Sequence, residues 1–223
     1  MIDPTRLRAA YRIAHDALLA ARHPDGYWVG ELATSALATA VAVMALSRVE
    51  PASPLIAGGL RYLAEHQNPD GGWGDTDRSF SNISTSMLGR AAFAMTGTDG
   101  QHPEPIAKLE GYLAHFGDTR PKLAEAIRRR YGKDRTFSVP ILMTSALAGL
   151  IDWSEVPALP FELACLPQSW FATLSLPVVS YALPALTAIG QAVFHHRGSW
   201  NPFSHSPAWG MPHPRSGPGR IGC

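Results

Sequence analysis

A short segment occurs twice in this chain, and the repeat limits the folds that the chain can adopt. His23–Trp28 reads HPDGYW and Asn68–Trp73 reads NPDGGW, so proline, aspartate, glycine and tryptophan coincide at an offset of 45 residues. A helical pattern precedes each turn and a second apolar pattern follows it. Paired helices that repeat at this length are typical of a solenoid or a closed ring of helices.

Apolar residues follow the period of an α-helix along most of the chain. The first segment places Leu7 and Tyr11 on one face, and similar patterns recur up to the region after residue 180. Gly97 and Gly117 are predicted to end two of the helices, and Pro140 is predicted to begin another. We find no pair of strand patterns joined by a hairpin turn. The predicted fold class is therefore all-α.

The composition of the chain changes after Arg197. Residues 198–223 are rich in proline, glycine and serine, and they contain no acidic residue and no periodic apolar face. Such a segment cannot bury enough apolar surface to offset the entropy lost on ordering. We therefore predict a helical domain over residues 1–197 and a disordered tail over residues 198–223.

Charge and cysteine content exclude several classes of protein. The net charge is +1, which gives no argument for nucleic-acid binding. Two cysteines, Cys165 and Cys223, are too few and too far apart to predict a disulfide framework or a zinc site. We assign no metal site and no cofactor.

The start of the chain and its most apolar stretch decide the predicted location. The N-terminal pattern is that of an amphipathic helix rather than of a signal peptide, so a cytoplasmic protein is expected. The nearest candidate for a membrane span, Leu176–Phe194, is interrupted by Pro177 and Pro184. Since freed backbone groups cannot be satisfied in lipid, we interpret it as a buried or interfacial helix.

The second copy of the repeat belongs to a longer pattern, G-x3-L-x3-Q-x3-G-x-W. Its residues are Gly59, Leu63, Gln67, Gly71 and Trp73. The pattern resembles the QW motif of triterpene cyclases, the family of squalene–hopene and oxidosqualene cyclases. Gly58 stands where the motif usually begins with lysine or arginine. The first copy keeps Gly26 and Trp28 but has Arg22 in the glutamine position, so it resembles a degenerate motif.

Four further blocks resemble the N-terminal half of bacterial squalene–hopene cyclases. They read DGYWVGEL, KDRTFSVPIL, VPALPFELACLP and LPVVSYALPALTAIGQ, and together with the repeat they extend over about residues 5–197. The resemblance implies a fragment of an α/α barrel, or toroid, in which QW-type motifs tie helices together. It also implies that Leu183 or Leu186 borders an apolar substrate cavity, at a wall where the family often has tryptophan. Plain core packing is the alternative for both leucines.

The carboxylates beside the second turn resemble a catalytic motif in the wrong place. In the family the catalytic acid lies in an Asp-x-Asp-Asp motif of the C-terminal half, whereas Asp75 and Asp77 here precede Arg78 and follow the N-terminal turn. We predict that one of the two aspartates caps the helix starting near Ser79–Ser84, or pairs with Arg78. No catalytic residue is assigned.

The resemblance implies the N-terminal portion of a triterpene cyclase that forms hopanoids by cationic cyclisation of squalene. The expected partners are squalene or a related isoprenoid, a membrane surface touched from the cytoplasm, and either a missing C-terminal half or a second copy of the chain. Two alternatives stay open. One is a non-catalytic isoprenoid-binding or scaffold protein, and the other is a protein prenyltransferase subunit, whose Asp/Cys/His zinc set is not evident here.

Three other features have both a functional and a structural interpretation. His195 and His196 could be metal ligands, but adjacent side chains diverge on a helix, which favours a solvated helix end. Cys165 is predicted to be a buried thiol. The run Arg128–Arg130 could contact anionic lipid head groups, and a solvated helix face is the alternative.

Overall fold

The computed structural model describes residues 3–30, 32–158, 161, 170 and 183–198, and for Leu183, Pro184 and Leu186 it describes the backbone alone. The chain divides into two compact units, Met1–Thr34 and Ser35–Cys223. The predicted disordered tail lies outside the described residues except for Gly198, so the predicted boundary after residue 197 stays a prediction.

The first unit consists of one helix and the turn that follows it. Helix α1 spans Pro4–Ala20, and the Asp3 side chain caps it by accepting a hydrogen bond from the Thr5 backbone N–H at 2.9 Å. Proline at the first helical position suits this start because its missing N–H would have no partner there. None of the helix residues is buried, so its apolar face, including Leu7 and Tyr11, is exposed.

The second unit contains the hydrophobic core and the other α-helices whose bounds the structure describes. They are α2 (Ala36–Val49), α3 (Pro54–Glu65), α4 (Ile83–Thr96), α5 (Pro103–Ala114), α6 (Arg120–Tyr131), α7 (Arg135–Leu147) and α8 (Leu183–Arg197). Most residues of α4 are buried, since α4 contacts α2, α3, α5, α6 and α7. Helix α2 also packs on α3, α6 on α7, and α7 on α8. Helix α4 is therefore the centre of the unit.

An ion-pair cluster joins α4 to the segment that leads into α5. The Arg90 guanidinium donates to Glu110 at 2.7 Å and to both carboxylate oxygens of Asp99 at 3.1 and 2.8 Å. Burial acts to lower the pKa of Arg90, but the hydrogen bonds and charges of Glu110 and Asp99 together outweigh it, so the pKa is raised. Because the side chain is only 15% exposed, the pairing fixes the approach of α5 to the central helix.

The all-α prediction is confirmed, since the described residues contain helices, turns and a single isolated bridge but no strand. Gly97 ends α4 as predicted, with a left-handed φ of 67°. The prediction for Gly117 is wrong. Helix α5 ends at Ala114. The His115 N–H donates to the Tyr112 carbonyl and the Phe116 N–H donates to the Leu113 carbonyl, and these bonds of the 3₁₀ type close the last turn before Gly117.

The predicted start of a helix at Pro140 is also wrong. Helix α7 begins five residues earlier, where the Asp134 side chain accepts a hydrogen bond from the Thr136 N–H at 2.8 Å. Pro140 lies inside the helix. The Asp134 side chain accepts from a backbone N–H of the first turn, which would otherwise have no partner. Proline has no side-chain acceptor for this purpose, so the cap at Asp134 determines where the helix begins.

The apolar stretch Leu176–Phe194 is described only in part. Its second half belongs to α8, while residues 176–182 lie outside the described residues. Of the helices that the structure describes, none combines the length and hydrophobicity needed to cross a membrane.

Candidate functional site

The turn between α3 and α4 is joined to a third helix through one glutamine. The Gln67 Nε2 group donates to the Gly71 carbonyl at 2.8 Å and to the Pro105 carbonyl, in the first turn of α5, at 2.9 Å. One donor group therefore closes the turn and also attaches it to α5. A side-chain amide suits this position because it carries two N–H donors in a fixed geometry.

Trp73 fills the space between α3 and α4. Its side chain is 1% exposed, and its Nε1 group donates to the Leu63 carbonyl at 2.9 Å. Its backbone N–H donates to the Ser86 hydroxyl at 3.0 Å. The ring lies so close to Gly89 that a Cβ there would come within 2.8 Å of a ring carbon. Both the apolar ring and its N–H are therefore satisfied in the core.

Two glycines of the pattern allow close approaches. Gly71 has a φ of 86°, and a Cβ at this position would overlap the backbone carbonyl of Lys108 in α5. A Cβ at Gly59 would overlap the side chain of Val43 in α2. Glycine is required at the turn for its conformation and for space, and on α3 for space.

The first copy of the repeat makes two of the local hydrogen bonds of the second. Trp28 Nε1 donates to the Leu18 carbonyl at 2.6 Å, and Arg22 Nε donates to the Gly26 carbonyl at 3.2 Å in place of the glutamine. Gly26 has a φ of 92°. Trp28, however, is 46% exposed. The local geometry of the turn is therefore repeated, whereas burial of its tryptophan is not.

The aspartates after Trp73 do not cap α4. Asn82 is the capping residue, since its side-chain oxygen accepts from the Thr85 N–H at 3.0 Å. Asp75 Oδ1 accepts in turn from Asn82 Nδ2 at 2.9 Å and from the Thr85 hydroxyl at 2.6 Å. The prediction that Asp75 or Asp77 caps α4 is wrong. Helix α4 begins at Ile83, so both aspartates lie too many residues before its first turn to be the capping residue. Within the described ranges no salt bridge joins either aspartate to Arg78.

The environment of Asp75 favours its charged form. The hydrogen bond from the Thr85 hydroxyl lowers the pKa of Asp75, and the Asn82 bond and the charge of Arg130 act in the same direction against partial burial. An acid that protonates an alkene must instead remain protonated in a dry site. Asp75 is solvent-exposed and holds a capping residue, so its chemistry is that of a structural acceptor.

We expect Asp75→Asn to lower the free energy of unfolding by about 1 kcal/mol at pH 7, because the amide oxygen is a weaker acceptor than the carboxylate. The folded-state pKa lies below the ordinary value of 3.8, so the carboxylate stabilises the fold above that pH and loses this effect as the pH falls through the folded-state pKa. Urea unfolding from pH 7 to pH 2.5 measures the difference between the two proteins. A difference that grows on acidification would contradict this account.

Several sequence-predicted residues lie wholly or partly outside the described residues, and two others are histidines at the end of α8. Leu183 and Leu186 lie in α8, but their side chains are outside the description, as is Cys165. His195 and His196 are exposed, and the His196 ring stacks on Trp153 with centroids 4.1 Å apart. Burial, followed by the neighbouring His195, lowers the pKa of His196. No group of three metal-ligating side chains occurs in the part of the chain that the structure describes.

The sequence analysis missed an open groove of about 720 Å³ beside α5 and α6, which we call the α5–α6 groove. Its lining residues are Ser81, Asn82, Ile83, Tyr112, His115, Phe116, Ala126, Arg129 and Arg130. The arginine run was visible in the sequence. Its position opposite Asn82 and Tyr112 depends on how three helices pack, and no local pattern indicates it.

Comparison with known proteins supports the resemblance to squalene–hopene cyclases. The model of the squalene–hopene cyclase N-terminal domain matches residues 12–117, a segment that contains both turns. The chain is similar to the N-terminal part of squalene–hopene cyclases. It is 31% identical over 168 residues to a probable squalene–hopene cyclase of Sinorhizobium fredii, covering 74% of this chain and 24% of that protein. It is 29% identical over 162 residues to the squalene–hopene cyclase of Zymomonas mobilis, covering 70% and 21%.

The chain is also similar to a protein that is not described as a squalene–hopene cyclase. The chain is 32% identical over 123 residues to a drimenyl diphosphate synthase of Streptomyces showdoensis, covering 52% of this chain and 22% of that enzyme. The chain thus spans about a quarter or less of the length of these relatives. No solved structure matches the chain. The predicted resemblance is confirmed, and the helical fold is consistent with a fragment of the α/α toroid of a squalene–hopene cyclase relative.

Proposed function

We propose that this squalene–hopene cyclase relative forms the N-terminal portion of a triterpene cyclase and does not cyclise squalene by itself. The observation that carries the proposal is the turn at Gln67 and Trp73, which links α3, α4 and α5 through hydrogen bonds and a buried ring. The family match over the same segment supports it. The helices would supply a rigid part of the wall around a cavity, which a cationic cascade needs to exclude water.

The residues of the two turns have a structural role in this proposal. Gly59, Leu63, Gln67, Gly71 and Trp73 act as a QW-type motif, and Gly26 and Trp28 belong to a second one. Leu183 and Leu186 would contact the hydrocarbon substrate, squalene or a related isoprenoid. Peripheral contact with the cytoplasmic face of the membrane would give access to such a substrate. A C-terminal half, or a second copy of the chain, would complete the cavity.

A non-catalytic isoprenoid-binding protein is the second candidate. The observation that favours it is the engagement of Asp75 with Asn82 and Thr85, because a carboxylate that accepts these two hydrogen bonds is held as a structural acceptor and not as a proton donor. Genomic sequence downstream of the last codon distinguishes the two candidates. A frame encoding Asp-x-Asp-Asp and further QW-type motifs supports the cyclase portion, and its absence in all frames supports the binder.

We expect no hopene or diplopterol when purified residues 1–223 are incubated with squalene in detergent. Protonation of an alkene requires a strong acid held in a preorganised, water-free pocket, and we assign no such acid to this chain. Gas chromatography of the extract measures the products, with a full-length squalene–hopene cyclase as the positive control. Product above the level of a protein-free sample would show that a catalytic acid is present and that the proposal is wrong.

A further inference from the structure

The α5–α6 groove combines positive charge with aromatic surface. Arg129 and Arg130 line it from the end of α6, and His115 lines it from the end of α5. Among the described residues that line the groove, none is acidic. Tyr112 and Phe116 provide an aromatic wall, with ring centroids 5.3 Å apart. A ligand that matches this lining carries a negative group next to an apolar one.

The two guanidinium groups of the groove are not paired with carboxylates, unlike their neighbour on α6. Arg128 forms ion pairs with Glu125 at 3.0 Å and with Glu155 at 2.9 Å, which attaches α6 to the segment after α7. For Arg129 and Arg130 no carboxylate oxygen lies within ion-pair distance among the described residues. Both side chains are exposed, and the Arg130 guanidinium lies over the Tyr131 ring at 6.0 Å from its centroid. Neither side chain has to leave a described carboxylate in order to reach a ligand.

The acidic groups near the groove are already engaged. Asp75 interacts electrostatically with Arg130, but its Oδ1 accepts from Asn82 and Thr85. Asp70 accepts from the Ser81 hydroxyl at 2.6 Å, and its charge also acts on Tyr112. Neither carboxylate lines the groove itself. The charge that faces the groove is therefore positive.

The start of α4 adds a second source of positive potential. Asn82 and Ile83 line the groove at the N-terminus of this 14-residue helix, whose dipole favours a nearby anion. Arginine is the side chain best suited to phosphate because its fork of N–H groups matches two oxygens at once. Ile83, Tyr112 and Phe116 offer apolar surface next to these donors.

We propose that the α5–α6 groove binds a phosphate or diphosphate ester that carries a hydrocarbon chain, with the phosphate at Arg129 and Arg130 and the chain against Tyr112 and Phe116. Squalene has no charged group, so this is a binding activity beyond the proposed function and does not depend on it. The ester can come from two sources, a free prenyl diphosphate or the head group of an anionic phospholipid.

Calorimetric titration of the full chain with a ten-carbon prenyl diphosphate at about 0.15 M salt tests the proposal, since this salt concentration screens distant charges. Arg129→Gln combined with Arg130→Gln should weaken binding at least about tenfold, the effect of one or two lost charge-assisted hydrogen bonds. Arg120→Gln combined with Lys133→Gln removes the same charge from outside the groove and should change affinity by less than about twofold. Thermal melts establish that both variants fold.

Two more measurements separate the contributions and the sources. Phe116→Ala should weaken binding of the prenyl diphosphate while leaving that of inorganic pyrophosphate unchanged, because only the first ligand has a chain. Sedimentation with phosphatidylcholine vesicles, with and without phosphatidylglycerol, shows whether a lipid head group occupies the groove. The absence of saturable binding to the prenyl diphosphate and to anionic vesicles would overturn the proposal, as would equal losses in the groove variant and its charge-matched control.

Discussion

Trp73→Ala should lower the free energy of unfolding by about 3–5 kcal/mol, the usual cost of deleting a fully buried aromatic side chain. The ring is 1% exposed and lies between α3 and α4, so its removal leaves a cavity beside Leu63 and Gly89. It also leaves the Leu63 carbonyl without its indole donor. Urea unfolding followed by circular dichroism measures the loss.

Trp28→Ala is the matched control for this substitution. Trp28 donates the same kind of hydrogen bond, to the Leu18 carbonyl, but its side chain is 46% exposed. We expect a smaller loss of about 1–2 kcal/mol, since the hydrogen bond is removed but roughly half of the side chain is already in water. An unchanged midpoint for Trp73→Ala, or equal losses for the two variants, would show that burial of Trp73 does not stabilise the helices.

Gly71→Ala should lower the free energy of unfolding by about 3 kcal/mol or more. The residue has a φ of 86°, which costs an L-residue about 1–2 kcal/mol. The added Cβ would also overlap the Lys108 carbonyl, so α5 would have to move away from the turn. Because Gln67 bonds both to Gly71 and to Pro105 of α5, this movement should break at least one further hydrogen bond.

Gly97→Ala separates the conformational cost from the steric one. Gly97 has a φ of 67°, yet no atom lies within 4 Å of the position that its Cβ would take. We therefore expect a loss of about 1–2 kcal/mol from the left-handed conformation alone. Thermal unfolding of both variants under the same conditions gives the comparison. A loss at Gly71 no larger than that at Gly97 would mean that α5 does not pack against the turn.

The sequence by itself determined the helical fold, the repeated turn and the family. These features depend on interactions between residues close in sequence, such as the left-handed glycine at position 97 and the Trp28 and Trp73 hydrogen bonds to residues ten positions earlier. Helix boundaries were less predictable. A proline or glycine marks where a helix can start or stop, but the side-chain cap at Asp134 and the closing bonds after Ala114 decided where α7 and α5 do so.

Only the tertiary structure decided which of the two tryptophans is buried and what the charged residues do. The two turns are nearly the same locally. Trp73 is buried because α4 packs directly against its ring at Gly89, which has no side chain to keep the helix away. This contact joins residues sixteen positions apart, and no repeat pattern encodes it. In the same way, Asp75 holds Asn82, and Arg129 and Arg130 line a groove with Tyr112. Burial and electrostatic environment depend on which helices meet in space, and periodicity along one helix specifies its apolar face but not its partner.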